Sequence, residues 1–185
     1  DLSDYALFYN GPKCGASAPD HMHFQAGKKY EFPVVRNWLN FSKLMVWESE
    51  RASIYASDDL LPVCFILASR DKDEAAAAFD LLYDVMPVGP DDYEPMMNLL
   101  VWMEDEVWLT CVFPRRELRP SCYYAEGDAN ILISPATVEM AGLFVAPLEK
   151  DFKKVTFADL EKIWKEVSIT EEEKNELIRK IEKEV

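Results

Sequence analysis

Apolar and polar positions alternate with a period of two in several short runs, the signature of strands. Residues 5–9, Tyr-Ala-Leu-Phe-Tyr, predict a buried strand that ends at Asn10-Gly11-Pro12. A loop of small residues follows, Gly15-Ala16-Ser17-Ala18-Pro19. Residues 21–26, His-Met-His-Phe-Gln-Ala, predict a second strand with one polar face, broken by Gly27-Lys28-Lys29. Segment 43–55 fits helix and strand equally, and 62–69 predicts a strand. Residues 97–103 and 107–113 flank Glu104-Asp105-Glu106 as a hairpin with a solvated acidic turn. Short strands are expected at 131–134 and 142–146.

Helical periodicity occurs in three places. Residues 71–85 carry an alanine run with Phe79, Leu82 and Tyr83 on one stripe, stopped by Pro87-Val88-Gly89-Pro90. Thr156 with Asp159 starts a helix bearing Phe157, Leu160, Ile163, Trp164 and Val167. Thr170 with Glu173 starts another, with Leu177, Ile178, Ile181 and Val185 on one side. No low-complexity linker or short repeat divides the chain. The pattern predicts an α+β fold, a mainly antiparallel sheet with flanking helices.

Composition supports a real core: of 185 residues, 49% are hydrophobic and 12% aromatic. The net charge of −14 argues against nonspecific binding to nucleic acid or an anionic membrane surface. That charge is uneven. Residues 48–148 hold nineteen acids against six bases, whereas residues 1–47 are net +1. No apolar run is long enough for a membrane helix, and the first residues do not show a basic stretch followed by an apolar one. Cys14, Cys64, Cys111 and Cys122 form no C-x-x-C pair. Cys64 and Cys111, inside apolar runs, read as buried free thiols, and a reducing, cytosolic setting is the simplest one.

The informative stretch runs from Tyr9 to Ala26 and contains the two histidines of the chain. On a strand, His21, His23 and Gln25 share one face at roughly 7 Å per step, and Met22, Phe24 and Ala26 face the core. The small-residue loop upstream offers backbone N–H groups to an anion, with Ser17 adding a hydroxyl and Lys13 a charge. Such a set suits attack on phosphorus: an imidazole nucleophile, a neutral amide donor and loop N–H groups. Two other readings stay open on these residues alone. One is half of a metal site completed by Cys14, Asp20 or another chain; the other is a solvated polar face.

The segment Tyr9 to Ala26, Y-N, a Gly/Ala/Ser loop, then H-x-H-x-Q, resembles the active-site motif of the histidine-triad-like nucleotidyltransferases and phosphorylases. H-x-H-F-Q-A is similar to GDP-hexose phosphorylases, and G-A-S-x-P to diadenosine tetraphosphate phosphorylases. Galactose-1-phosphate uridylyltransferases share the H-x-H-x-Q core. Asn98-Leu99-Leu100, the hairpin and Val112-Phe113-Pro114-Arg115 resemble a second, downstream segment of the phosphorylases. The resemblance covers about half of the chain, roughly residues 5–34 and 96–147.

The resemblance implies transfer of a nucleotidyl group through a covalent nucleotidyl-histidine. His23 would be the nucleophile, oriented by a backbone carbonyl or by His21, and Gln25 would hold a phosphate oxygen. Asn10, Gly15, Ala16 and Ser17 would line the phosphate site, with Arg115 as a further contact. It implies a nucleotide or nucleotide-sugar substrate and phosphate as partners. No cofactor is fixed, with room for a divalent cation. Ser17-Ala18-Pro19-Asp20-His21 is one residue longer than the diadenosine tetraphosphate spacing, and Asp20 suits the GDP-hexose branch better. The family carries a long segment before this motif. The expectation is therefore an N-terminally incomplete chain, or one completed by a homo-oligomer. Residues 1–59 would then end a first half-fold, 60–150 form a second, and 151–185 add helices. The alternative is a noncatalytic nucleotide- or metal-binding relative, or an inactive fragment.

Other residues read more plainly. Arg116 and Arg119 are expected in surface ion pairs with Glu117 and nearby acids. Trp38, Trp47, Trp102 and Trp108 are expected in the core rather than stacked on a base. Lys28 and Lys29 are expected to be exposed.

Overall fold

The computed structural model describes residues 2–58 and 61–184. Its strands are β1 (Tyr5–Asn10), β2 (Phe24–Lys28), β3 (Lys43–Glu48), β4 (Ala52–Ser57), β5 (Phe65–Ser69), β6 (Met97–Glu104) and β7 (Val107–Pro114). They form one 7-stranded sheet in the order β2-β1-β6-β7-β5-β4-β3. All neighbours run antiparallel. The segment 43–55 thus resolves as a hairpin, β3 and β4, with a register irregularity between Met45 and Trp47. The β6–β7 hairpin closes at Glu104↔Val107 around Asp105 and Glu106, with φ of 48° and 64°. Positive φ at both turn residues matches the twist of the flanking strands.

Helices cover both faces. The helices are α1 (Pro33–Asn37), α2 (Lys72–Val85), α3 (Ser121–Tyr124), α4 (Thr137–Met140), α5 (Glu149–Lys154), α6 (Phe157–Val167) and α7 (Glu171–Ile181). On one face, Val34 and Val35 of α1, Met140 of α4 and Val167 of α6 pack on Ala6, Phe8, Leu100, Trp102 and Cys111. On the other, Ala78 and Leu82 of α2 and Leu177, Ile178 and Ile181 of α7 pack on Ile54, Phe65, Leu67 and Val112. The Asp71 side chain accepts from the N–H groups of Asp73 and Glu74 to start α2. Reciprocal capping boxes start α6 at Thr156–Asp159 and α7 at Thr170–Glu173. Val185 lies outside the described residues. No helix among them is long and apolar enough to cross a membrane.

Four expectations fail. Segments 131–134 and 142–146 are not strands. The N–H of Leu132 donates to the buried carboxylate of Asp151, and that of Val145 to Glu139 Oε1. Carboxylates carried on helices thus take up donors that a neighbouring strand would otherwise accept. Residues 21–23 are not strand either, since β2 begins at Phe24. Met22 and Phe24 face solvent, 70% and 60% exposed, because β2 is the sheet edge and no helix reaches over it. Of the four tryptophans only Trp102 is fully buried.

Leu82, fully buried where α2 meets the sheet, tests this packing. Leu82→Ala should lower unfolding free energy by about 2–5 kcal/mol in a urea titration, with the slope unchanged.

Candidate functional site

β1 ends at Asn10, whose Cα partner across the sheet is Asn98 of β6. Phe8 lies opposite Gln25 on β2, so alternation puts Asn10 and Gln25 on the same face. Asn10 Nδ2 donates to Gln25 Oε1 at 3.3 Å. His23 sits just before the strand. Its Nδ1 lies 2.8 Å from the backbone oxygen of His21. A carbonyl oxygen can only accept, so Nδ1 carries a proton, and in the neutral ring the lone pair is on Nε2. The two imidazoles lie 13° from parallel with centroids 6.1 Å apart. His21 and Gln25 are exposed and His23 is half-buried.

The small-residue loop packs against the 135–137 segment beside this edge. Gly15 adopts φ +88°, and a Cβ there would meet Ala136 Cβ at 2.7 Å and Pro135 O at 2.9 Å. Only glycine permits both the left-handed backbone and the close approach. Thr137, just after that contact, donates its N–H to Asn10 Oδ1 at 2.8 Å. Its hydroxyl lies 2.7 Å from both Tyr9 O and Asn10 Oδ1. The N–H groups of Gly15, Ala16 and Ser17 have no acceptor among the described residues. Ser17 is exposed, and Gly15 and Ala16 are half-buried.

Below the loop lies a polar chain that the sequence did not announce. Asn98, fully buried, donates Nδ2 to Asn10 Oδ1 at 2.9 Å and to Cys14 O at 2.8 Å. Its Oδ1 accepts from Arg115 Nη1 at 2.5 Å. Arg115 is a correction. It was expected to touch phosphate, but its guanidinium is buried. It spends Nη1 on Asn98 and Pro135 O, Nη2 on the carbonyls of Glu117 and Leu118, and Nε on Val167 O. No N–H is left for a ligand. Arg116 and Arg119 depart from expectation too: neither pairs with Glu117 among the described residues. Arg119 instead donates to Ser134 Oγ and lies over the Tyr123 ring.

The remaining cations near the site are engaged. Lys13 pairs with Asp92 at 2.6 Å, and the hydroxyl of Tyr9 donates to Glu94 at 2.8 Å. Segment 92–94 thus straps the loop from its other side. Lys29, expected exposed, is buried, with Nζ 2.8 Å from Met103 O and 3.0 Å from Glu104. The acidic turn is therefore only partly solvated. Burial pushes the Cys14 thiol up to about 12, so the metal-free side chain is a neutral thiol at pH 7. No three His, Cys, Asp or Glu side chains gather for a metal among the described residues. A cavity of about 430 Å³ between segment 86–96, the end of β7 and α7 reaches Arg116 and Lys180 but not the histidines.

Comparisons with known proteins fit this architecture. The profile of a family described as "Domain of unknown function (DUF4922)" matches residues 1–28, the segment holding the loop and both histidines. No curated protein matches in sequence. The structure is similar to that of the yeast Ap4A phosphorylase, with a TM-score of 0.57 and 17% identity over 89% of this chain and 56% of that one. A DUF4931 family protein from Bacillus cereus aligns with a TM-score of 0.48 and 23% identity, over 65% of this chain and 58% of that one. The chain therefore has the fold of the phosphorylase across just over half of that protein's length.

Two measurements test the site as built. Gly15→Ala should cost about 2 kcal/mol or more in thermal or urea unfolding, since both strain and a backbone clash follow. In the native protein a thiol reagent should titrate half-buried Cys122 first. Cys14, Cys64 and Cys111, all buried, should react only on unfolding.

Proposed function

We propose that this chain carries the nucleotidyl-transfer site of a phosphorylase, acting on a nucleotide sugar of the GDP-hexose type or on a dinucleoside polyphosphate. The observation that carries the reading is the His23 ring. It is held through Nδ1 by a neighbouring carbonyl, which in the neutral ring leaves the lone pair on Nε2, two residues before an amide hydrogen bonded to Asn10. The similarity of fold to the Ap4A phosphorylase supports it.

In this mechanism Nε2 attacks the nucleotidyl phosphorus. A P–N bond forms and the P–O bond to the departing sugar phosphate (or, from a dinucleoside polyphosphate, the departing nucleoside polyphosphate) breaks, the electron pair leaving on that oxygen. An oxygen of inorganic phosphate then attacks the same phosphorus, the P–N bond breaks, and a nucleoside diphosphate departs. Open N–H groups of Gly15, Ala16 and Ser17, with the Gln25 amide, stabilise charge on the phosphoryl oxygens. His21 supplies the carbonyl that fixes the nucleophile's tautomer.

Incubation with GDP-hexose or diadenosine tetraphosphate labelled at the nucleotidyl phosphate should leave an acid-labile label on His23. His23→Ala should abolish it and lower phosphate-dependent turnover by at least about 10³-fold. Bound nucleotide without adduct, unchanged by His23→Ala, would establish the noncatalytic reading instead.

A further inference from the structure

We infer that the buried Arg115–Asn98 pair sets the direction of the Gln25 amide, so that the site presents an NH2 group and accepts only a hydrogen-bond acceptor such as a phosphoryl oxygen. The inference rests on the proposed nucleotidyl transfer for its ligand, but its geometric content is separate.

An amide side chain can usually be turned end for end, exchanging donor for acceptor. Here the exchange is blocked step by step. A guanidinium is donor-only, so the Asn98 atom 2.5 Å from Arg115 Nη1 must be the oxygen. That leaves Asn98 Nδ2 to face Cys14 O, a pure acceptor, and Asn10. The Asn10 atom meeting it must then be Oδ1. The backbone N–H of Thr137, another pure donor, points to the same atom. Asn10 Nδ2 is thereby turned toward Gln25, whose near atom must be Oε1. Both Nε2 hydrogens of Gln25 then face outward, unused within the described residues. The order of polarity runs from a group that cannot be inverted, through three amides, to the surface of the site.

Asn98 and Arg115 touch no ligand in this scheme; they are positioning residues. Their effect is selectivity. An outward NH2 favours an anionic oxygen and disfavours a donor such as a hydroxyl or ammonium group, without placing a charge beside the phosphorus.

Side-chain amide NMR on the intact protein, with inorganic phosphate as the probe, tests this. In the wild type both Nδ2 protons of Asn98 should be protected from exchange. The Nε2 protons of Gln25 should exchange freely and shift as phosphate is added. Asn98→Asp keeps an acceptor for Arg115 but cannot donate to Asn10. It should weaken the phosphate titration about tenfold or more, and in turnover raise KM for phosphate more than it lowers kcat. Gln25→Glu should remove the titration. Protected Nε2 protons in wild-type Gln25, a measurement that needs no variant, would overturn the inference. So would an Asn98→Asp protein that binds phosphate unchanged. Absence of a His23 adduct with these amide signatures intact would instead overturn the nucleotidyl-transfer reading alone.

Discussion

The side-chain amide of Asn98 is the contact on which the rest of the site depends. It is fully buried on β6, yet it joins β1 through Asn10, the small-residue loop through Cys14 O and the end of β7 through Arg115. Arg115 in turn ties in the 135–137 turn and the 117–118 segment through their carbonyls. Burying a guanidinium is costly, and burial lowers the Arg115 pKa. Five hydrogen bonds offset that cost, four of them to backbone carbonyls: Pro135, Glu117 and Leu118 in irregular segments, and Val167 at the end of α6, whose oxygen also accepts from Arg116 N. Loss of the amide would therefore leave several unpaired polar groups at once, a far larger effect than one broken hydrogen bond.

Much of the fold was legible because local signals and tertiary packing agree. The capping boxes of α6 and α7, the Asp71 cap of α2 and the apolar stripes of all three helices specify structure without distant partners. The β6–β7 hairpin was legible for the same reason. Segments 131–134 and 142–146 were not. Their apolar alternation is real, and Ile131 and Ile133 are buried. Their backbone donors, however, go to Asp151 and Glu139, which no local pattern connects to them.

The site was legible to a different degree. The H-x-H-x-Q spacing and the loop before it pointed to residues that are neighbours in the fold, Asn10 and Gln25 at one edge of the sheet and Gly15 against the 135–136 segment. The period of two was extended three residues too far. Ala18 O accepts from His21 N in a turn, so His21 and His23 are not strand neighbours. What brings His23 into register is a local ring-to-carbonyl bond, which alternation cannot reveal. Thr137 was invisible, being 127 residues from its partner Asn10. Asn98 stood within a quoted motif but inside an apolar run, where a polar residue signals a buried bond. Arg115 was singled out for its charge, yet its place follows from its five donors.

Charge is where sequence and structure differ most in meaning. The slight positive excess of residues 1–47 looks like an anion-attracting patch. In the folded chain Lys13 is paired with Asp92 and Lys29 with Glu104. Arg36 and Lys43 donate to backbone carbonyls. Little free positive charge remains near the loop, and the molecule as a whole is net −14. Long-range attraction of a polyphosphate is therefore weak, and approach is opposed by the field of the acidic middle segment. In the proposed transfer, recognition therefore comes at contact distance, from backbone N–H groups and the Gln25 amide. That explains why amide direction matters here more than charge. A cation would attract any anion from either orientation. A fixed NH2 beside three open backbone N–H groups favours an anion that brings its oxygens to the right positions, and the buried Arg115–Asn98 pair keeps that NH2 from turning.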